Sequence, residues 1–349
     1  MSETFKAAVL LSANEPLAIR SLQFPEIQDG QVLIKNIVSG ICRSQLMEAT
    51  GQRGPDKWLP HLLGHEAVGI VESIGPAVSK VEIGDKVIIS WIAGNGESSS
   101  SPRFVTEDGE IINSGAATTF NEYSVVPENR VFKAPVGFSD DFLPQFGCAL
   151  LTGGGMVIST LKEFPVTTKA RVLIIGFGGV GIASALVAKS FKNLDLFIVE
   201  KSLERRELAS KLGFTKTFET TSSLLSSLGE DGLFDYCFES AGTIESIESG
   251  FASITNTGIL TFASHPENGK RISIDPYELI KGKIIRGTWG GNLSPDIAIP
   301  EIGRRLLGLD VDLSLLVGPR YALENVNDGL SFLEAAGAGK PVVYFGDSK

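Results

Sequence analysis

Few side chains in this sequence can do more than pack. Three cysteines, Cys42, Cys148 and Cys237, and three histidines, His61, His65 and His265, are spread over 349 residues. Cys42 stands in GICRS behind an apolar run, His65 in LLGHEAVG and Cys148 in FGCALLTGG. No two of them form a tight C-x-x-C. Spacing alone therefore leaves two readings open for each, a buried core residue or a metal ligand. Three scattered cysteines exclude a disulfide scaffold and suit a reducing compartment, so a cytoplasmic protein is expected. A second constellation is Gly176-Phe177-Gly178-Gly179-Val180-Gly181, a G-x-G-x-x-G. Among 39 glycines such a match means little alone. It gains weight because it ends the apolar run ARVLIIG and opens the helical pattern GIASALVAKSF. Gly176 permits the tight turn, Gly178 lets backbone approach a pyrophosphate, and Gly181 lets helix close on sheet. Gly179 and Val180 begin the helix whose free N–H groups and dipole face the phosphates. Glu200, 24 residues after Gly176, falls where an acid grips the adenosine ribose. A carboxylate there repels a 2′-phosphate, so NAD is preferred over NADP. Lys201 and Arg205 lie close enough to relax that preference.

Elements must hold these groups in place. Up to about residue 149, the runs FKAAVLL, LAIRSLQ, QVLIKNIVSG and EAVGIVESIG read as short strands separated by Gly, Pro, Asp and Asn clusters. From about residue 170 the rhythm becomes strand, helix, strand, helix. ARVLIIG is continuously apolar, as a parallel strand covered on both faces must be. Ile182, Leu186 and Val187 then recur at helical spacing, and LFIVE follows as a strand. SLERRELASKLG predicts a helix capped by Ser202 and stopped by Gly213. FDYCFES, GILTFAS and KIIRGTW are three further strands, which together give a doubly wound α/β sheet. After Trp289 come helical IPEIGRRLLGL and ALENVNDGLSFLEAAGAG, then strand-like PVVYFG, as a third unit or a return to the first. Gly94–Pro102, with four consecutive serines, reads as a loop.

Composition narrows the function classes. Hydrophobic residues make up 43% and charged ones 21%, the balance of a soluble globular chain. A net charge of −10 and a pI near 5.0 argue against nucleic acid as partner, because that affinity needs clustered Lys and Arg. No run approaches the ~20 apolar residues of a membrane span. MSETFKAAVLLSANEP lacks the basic flank and long apolar core of a signal peptide, so none is expected.

The wider pattern around His65 carries a resemblance. Gly64-His65-Glu66, then Gly69, Gly75 and Val78, then Gly84-Asp85-Lys86-Val87, resembles the zinc signature of medium-chain alcohol dehydrogenases. GICRS, GCALLTGG, GFGGVG and GTWGG extend the likeness over most of the chain. The resemblance implies an α/β protein: a GroES-like β-barrel catalytic domain (1–149), a Rossmann doubly wound parallel-sheet coenzyme domain (150–289), and a return to the catalytic domain (290–349). In that family the active site lies between the two domains. Carried over, Cys42, His65 and Cys148 are the ligands of a catalytic zinc, a Cys₂His set that leaves one position open. Glu66 matches the family's glutamate beside the zinc histidine, as a neighbouring group or an alternative ligand. Ser44 matches the residue that relays the alcohol proton. Arg43 and Lys340 match basic residues at the coenzyme pyrophosphate, and Thr152 a threonine beside the nicotinamide. The implied reaction is reversible oxidation of an alcohol to an aldehyde or ketone, with zinc as Lewis acid and NAD as hydride acceptor. A polyol or sugar-derivative dehydrogenase, and a catalytically silent NAD-binding regulator, are the alternatives. The expected partners are a small alcohol or carbonyl compound and further copies of the chain in a dimer or tetramer, with neither nucleic acid nor membrane.

Departures from the family pattern set further expectations. The stretch IAGNGESSSSPRFVTEDGEIINSGAATTF has no cysteine where many members carry four, so one zinc and no structural zinc is expected. Gln45 replaces the aspartate that buttresses the zinc histidine, and its amide oxygen is expected to accept the ring N–H. Met47 stands where several members end the proton relay in a histidine. Trp91 and Trp58 are candidate pocket aromatics, and the small residues of 114–117 suggest a roomy cleft. His61 and His265 receive no role, and Cys237 is assigned to the core.

Overall fold

Burial follows the sequence patterns closely enough to show how each element is held. The structure is a computed structural model and describes residues 3–166, 168–229 and 232–346. The chain forms two units, Met1–Cys148 with Ser294–Asp296 and Leu313–Lys349, and Ala149–Leu293 with Ile297–Asp312.

In the first unit the strand Gln31–Gly40 is buried along nearly its whole length. It pairs antiparallel with Glu66–Ile74, Tyr123–Pro127 and Lys340–Tyr344. The sheet runs Val131–Lys133, Lys86–Ser90, Glu66–Ile74, Gln31–Gly40, Lys340–Tyr344, Val317–Ala322. Val32, Ile34, Ala67, Val87, Ile89 and Val126 fill one core beneath it. A smaller sheet of Ala18–Gln23, Thr4–Leu10 and His61–Leu62 closes over Phe5, Leu22 and Phe104. The serine-rich loop has no regular structure, yet it is pinned. The Glu128 carboxylate is 1% exposed and accepts N–H groups from Ser79 and Lys80 at 2.5 Å and from Glu97 at 2.7 Å. Gln31 Nε2 donates to the Ser100 carbonyl at 3.0 Å. Hydrogen bonds hold the cysteine-free segment in place.

Among the described residues the second unit carries a sheet of six strands, all parallel, in the order Thr217–Phe218, Leu194–Val199, Ala170–Ile175, Phe234–Glu239, Ile254–Phe262, Ile284–Gly287. This is the doubly wound order, with its switch point beside the first strand. Leu173, Ile175, Phe197, Phe234 and Leu260 make the core, and Cys237 lies among them as expected. Burial, then the charge of Glu239, pushes its thiol well above the ordinary range. Ser202 caps the helix Leu203–Lys211, and Gly213 follows it at φ 79°.

The tail divides differently from the expected boundary at residue 290. The helix Pro295–Leu307 places Ile302 against Gly154. Arg305 in the same helix donates to Ser190 Oγ at 2.9 Å and lies over the Phe191 ring. These contacts fix Ile297–Asp312 to the second unit, so after Ser294–Asp296 the chain rejoins the first from Leu313.

Candidate active site

The first unit brings four metal-binding side chains together from three distant segments. Cys42 follows the strand Gln31–Gly40 and caps the helix Arg43–Ala49. Gln45 at the third helical position returns its amide oxygen to the Cys42 N–H at 2.9 Å, the reciprocal half of a capping box. His65 immediately precedes the strand Glu66–Ile74. Cys148 arrives on the 3₁₀ turn Leu143–Gly147. A Cβ on Gly147 would stand 2.3 Å from the Ile89 carbonyl oxygen and 2.9 Å from Glu66 Cβ. Only glycine lets that turn lie on the sheet, and this close approach sets Cys148 beside Glu66. One ligand atom from each of Cys42, His65, Glu66 and Cys148 lies within 4.8 Å of the others.

Charge in this cluster is unbalanced. The Cys148 thiol hydrogen-bonds to the Cys42 sulfur and holds Cys42 well below the usual thiol range, against its burial, with Lys340 and His65 helping. The same bond pushes Cys148 up, reinforced by burial. Burial raises the fully buried Glu66 carboxyl, and the Cys42 charge adds to it, while Lys340 opposes both. Burial alone would lower the Lys340 ammonium. The charges of Glu66, Cys42 and Cys148 outweigh it and hold the group above the ordinary lysine range. Meanwhile His65 Nε2 is buried with no hydrogen-bond partner among the described residues. Two sulfurs, an orphaned imidazole nitrogen and a buried carboxylate are a donor set that a dication completes. The residues fit zinc.

Two neighbours differ from expectation. Lys340, matched to the pyrophosphate, is 8% exposed and forms an ion pair with Glu66. No local pattern links residues so far apart in sequence. Gln45 does contact His65, but through the opposite end of its amide. Its oxygen is taken by the Cys42 N–H, so Nε2 faces His65 Nδ1 at 2.6 Å. Gln45 Nε2 also lies 3.3 Å from Ser44 Oγ. Ser44 is half-buried and Arg43 exposed.

A cavity of about 480 Å³ opens beside His65, lined in part by Gln45, Trp58, His61, Arg103, Ser114 and Ala117. The small residues of 114–117 do face open space. Trp58 is 60% exposed, and the Trp91 ring lies 6.3 Å from that of His65. The sequence assigns His61 no role. It is buried in the cavity wall, with Nε2 2.7 Å from Asp56 and Nδ1 2.9 Å from the Leu62 carbonyl. No strand period links it to His65, because Gly64 between them turns at φ 86°. His265 is exposed.

In the second unit Gly176 ends the strand Ala170–Ile175 at φ 86°. Gly178 caps the helix Gly179–Lys189, which begins Gly179, Val180, Gly181. A Cβ on Gly181 would lie 1.9 Å from the Gly176 carbonyl oxygen, whereas one on Gly178 would meet only Arg205 Nη1 at 3.8 Å. The turn is therefore closed underneath and open above, a cradle for a phosphate-bearing ligand. Glu200 follows the next strand and accepts N–H groups from Phe177 at 2.7 Å and Ser202 at 2.9 Å. The glycine turn, Glu200 and Arg205 thus come together. Thr152 sits in the π-helical turn Leu150–Gly154, with Oγ1 buried and unpartnered among the described residues. That turn packs on the same helix, since a Cβ on Gly153 would stand 2.1 Å from the Val180 carbonyl.

Known proteins match this arrangement over its whole length. The family model for the alcohol dehydrogenase GroES-like domain matches residues 28–136. The model for zinc-binding dehydrogenases matches residues 179–303. Among solved structures, benzyl alcohol dehydrogenase from Acinetobacter calcoaceticus is 26% identical over 98% of this chain and 99% of its own, with a TM-score of 0.85. An alcohol dehydrogenase zinc-binding domain protein from Burkholderia ambifaria is 24% identical over 99% of both chains, with a TM-score of 0.87. A 2R,3R-butanediol dehydrogenase from Bacillus subtilis is 22% identical over 98% of this chain and all of its own, with a TM-score of 0.75. The last two speak for fold alone. The GroES-like fold and the doubly wound sheet are those expected from the sequence.

Proposed function

We propose that this chain, which belongs to the zinc-dependent alcohol dehydrogenase family of the medium-chain dehydrogenase/reductase superfamily, holds one zinc and transfers a hydride between an alcohol and NAD. The observation that carries this reading is the buried, unpartnered Nε2 of His65, a residue gathered with Cys42, Glu66 and Cys148. When bound, the zinc would supply a Lewis acid that makes an alcohol hydroxyl acidic, and NAD would supply the hydride acceptor. The remaining work falls to the chain. Cys42, His65 and Cys148 hold the metal, with Glu66 and its Lys340 partner behind them. Ser44 takes the alcohol proton on Oγ and passes on its own. Met47 carries no proton, so the relay continues through water or another group. The glycine turn holds the pyrophosphate. Glu200 meets the adenosine ribose and favours NAD over NADP.

A second reading, a polyol or sugar-derivative substrate, is favoured by the polar lining of the cavity, where Ser101, Asn113, Ser114 and Thr118 accompany Gln45 and His65. Purified protein is expected to contain about one zinc per chain and to reduce NAD with at least one member of a panel of simple alcohols, polyols and sugar alcohols. Cys148→Ala should lower turnover by more than about 100-fold, since even a group behind the ligands is worth ~10–100-fold, while NAD binding persists. NAD binding without turnover across the panel would favour a silent regulator instead. Two tightly held zincs would contradict the single-site reading.

A further inference from the structure

Gln45 lies between the Cys42 N–H and the His65 ring with a single acceptor oxygen. The Cys42 backbone N–H can only donate, and it takes the Gln45 oxygen at 2.9 Å. The amide NH₂ that remains can also only donate, and it lies 2.6 Å from His65 Nδ1. Nδ1 therefore accepts, and the ring proton of His65 sits on Nε2. Nε2 is the nitrogen that has no hydrogen-bond partner among the described residues, in a residue that stands with Cys42 and Cys148. A metal held through Nε2 requires that atom bare, which places the proton on Nδ1, against an NH₂ group. Turning the amide over does not help, because its NH₂ would then oppose the Cys42 N–H. A carboxylate at the same place, with two acceptor oxygens, would satisfy both. Gln45 is 1% exposed, so bulk solvent gives little relief.

We infer that Gln45 is a positioning residue that weakens metal retention in this chain, and that loading the metal moves the His65 proton from Nε2 to Nδ1. The inference presupposes the zinc centre proposed above and adds that the centre is built to release its metal more readily than a carboxylate-buttressed one. A neutral amide also leaves the imidazole a poorer donor than a carboxylate partner would, in the same direction.

With only three histidines, the imidazole nitrogens of ¹⁵N-labelled full-length protein can be followed by long-range ¹⁵N–¹H correlation, and His65 is the ring that responds to zinc. In metal-stripped protein it should be protonated on Nε2, and after zinc addition on Nδ1. A proton already on Nδ1 before zinc overturns the inference. In parallel, zinc-loaded protein is challenged with a chelator. Gln45→Glu keeps the capping contact and adds the missing acceptor, so it should release zinc about 10–100-fold more slowly than the wild type. Gln45→Met, which satisfies neither donor, should release it faster. Release from Gln45→Glu at the wild-type rate also overturns the inference, provided that its metal-free thermal transition matches that of the wild type. Protein that takes up no zinc overturns the zinc reading itself. Uptake with unchanged tautomer and release rates overturns only the role of Gln45.

Discussion

Glu66 and Glu128 are two buried carboxylates with opposite fates. Burial raises Glu66, because the Cys42 charge adds to it and Lys340 opposes it only in part. Burial would raise Glu128 too, but backbone N–H groups of Glu97, Ser79 and Lys80 outweigh it and hold its carboxyl below the usual range. A depressed folded-state value means that Glu128 contributes stability above the unfolded carboxylate pKa of about 4.3 and loses it as pH falls through the depressed value. Glu128→Gln should therefore be less stable than the wild type at pH 7 by about 1.5–3 kcal/mol, the worth of one hydrogen bond to a charged group. Urea melts of the two proteins should converge as pH drops below ~4. A gap that stays constant from pH 7 to pH 3 would show that Glu128 acts only by shape. Neither buried carboxylate was fully legible in the sequence. Glu66 was visible because it sits in a motif. Glu128 lies in a plain ENR turn, and its importance comes from segments about 30 and 50 residues earlier.

At the scale of elements, the coenzyme unit was readable because its physics is local. A parallel strand buried on both faces must be apolar throughout, and a helix over it must repeat at 3.6 residues. The glycine turn adds a contrast to test. A Cβ at position 181 would run into the Gly176 carbonyl at 1.9 Å, a backbone atom fixed by the turn. Gly181→Ala should destabilise the unit by about 3 kcal/mol, the upper end of overpacking costs. It should abolish NAD binding as well. Gly178→Ala meets only the end of the Arg205 side chain, so its thermal transition should match the wild type. Its NAD affinity should still fall, because the new methyl stands where phosphate approaches. Equal loss of stability in both variants would refute this division of roles. Irregular elements were not readable in this way. The 3₁₀ turn before Cys148 and the π-helical turn holding Thr152 have no periodicity of their own. The helix Pro295–Leu307 was visible as a helix, but side-chain contacts, not its pattern, assign its length from Ile297 to the second unit.

At the scale of the molecule, each proposed ligand should leave its mark on a different part of the chain. Cys42, His65, Glu66 and Cys148 all belong to the first unit, and the glycine turn, Glu200 and Arg205 to the second. A ligand that binds only the folded form stabilises what it binds by RT ln(1 + [L]/Kd), about 2.7 kcal/mol at a hundredfold excess over Kd. Amide exchange that needs the site to open should then slow by about 100-fold, and exchange elsewhere should not. Zinc added to metal-stripped protein is expected to protect the helix Arg43–Ala49, the start of the strand Glu66–Ile74 and the turn Leu143–Gly147. NAD is expected to protect the glycine turn through Glu200. Hydrogen exchange read by mass spectrometry resolves these segments. Zinc protection at residues 176–205 in place of the Cys42 and His65 segments would remove the metal from the site assigned to it. NAD protection that spares the glycine turn would remove the coenzyme from its own.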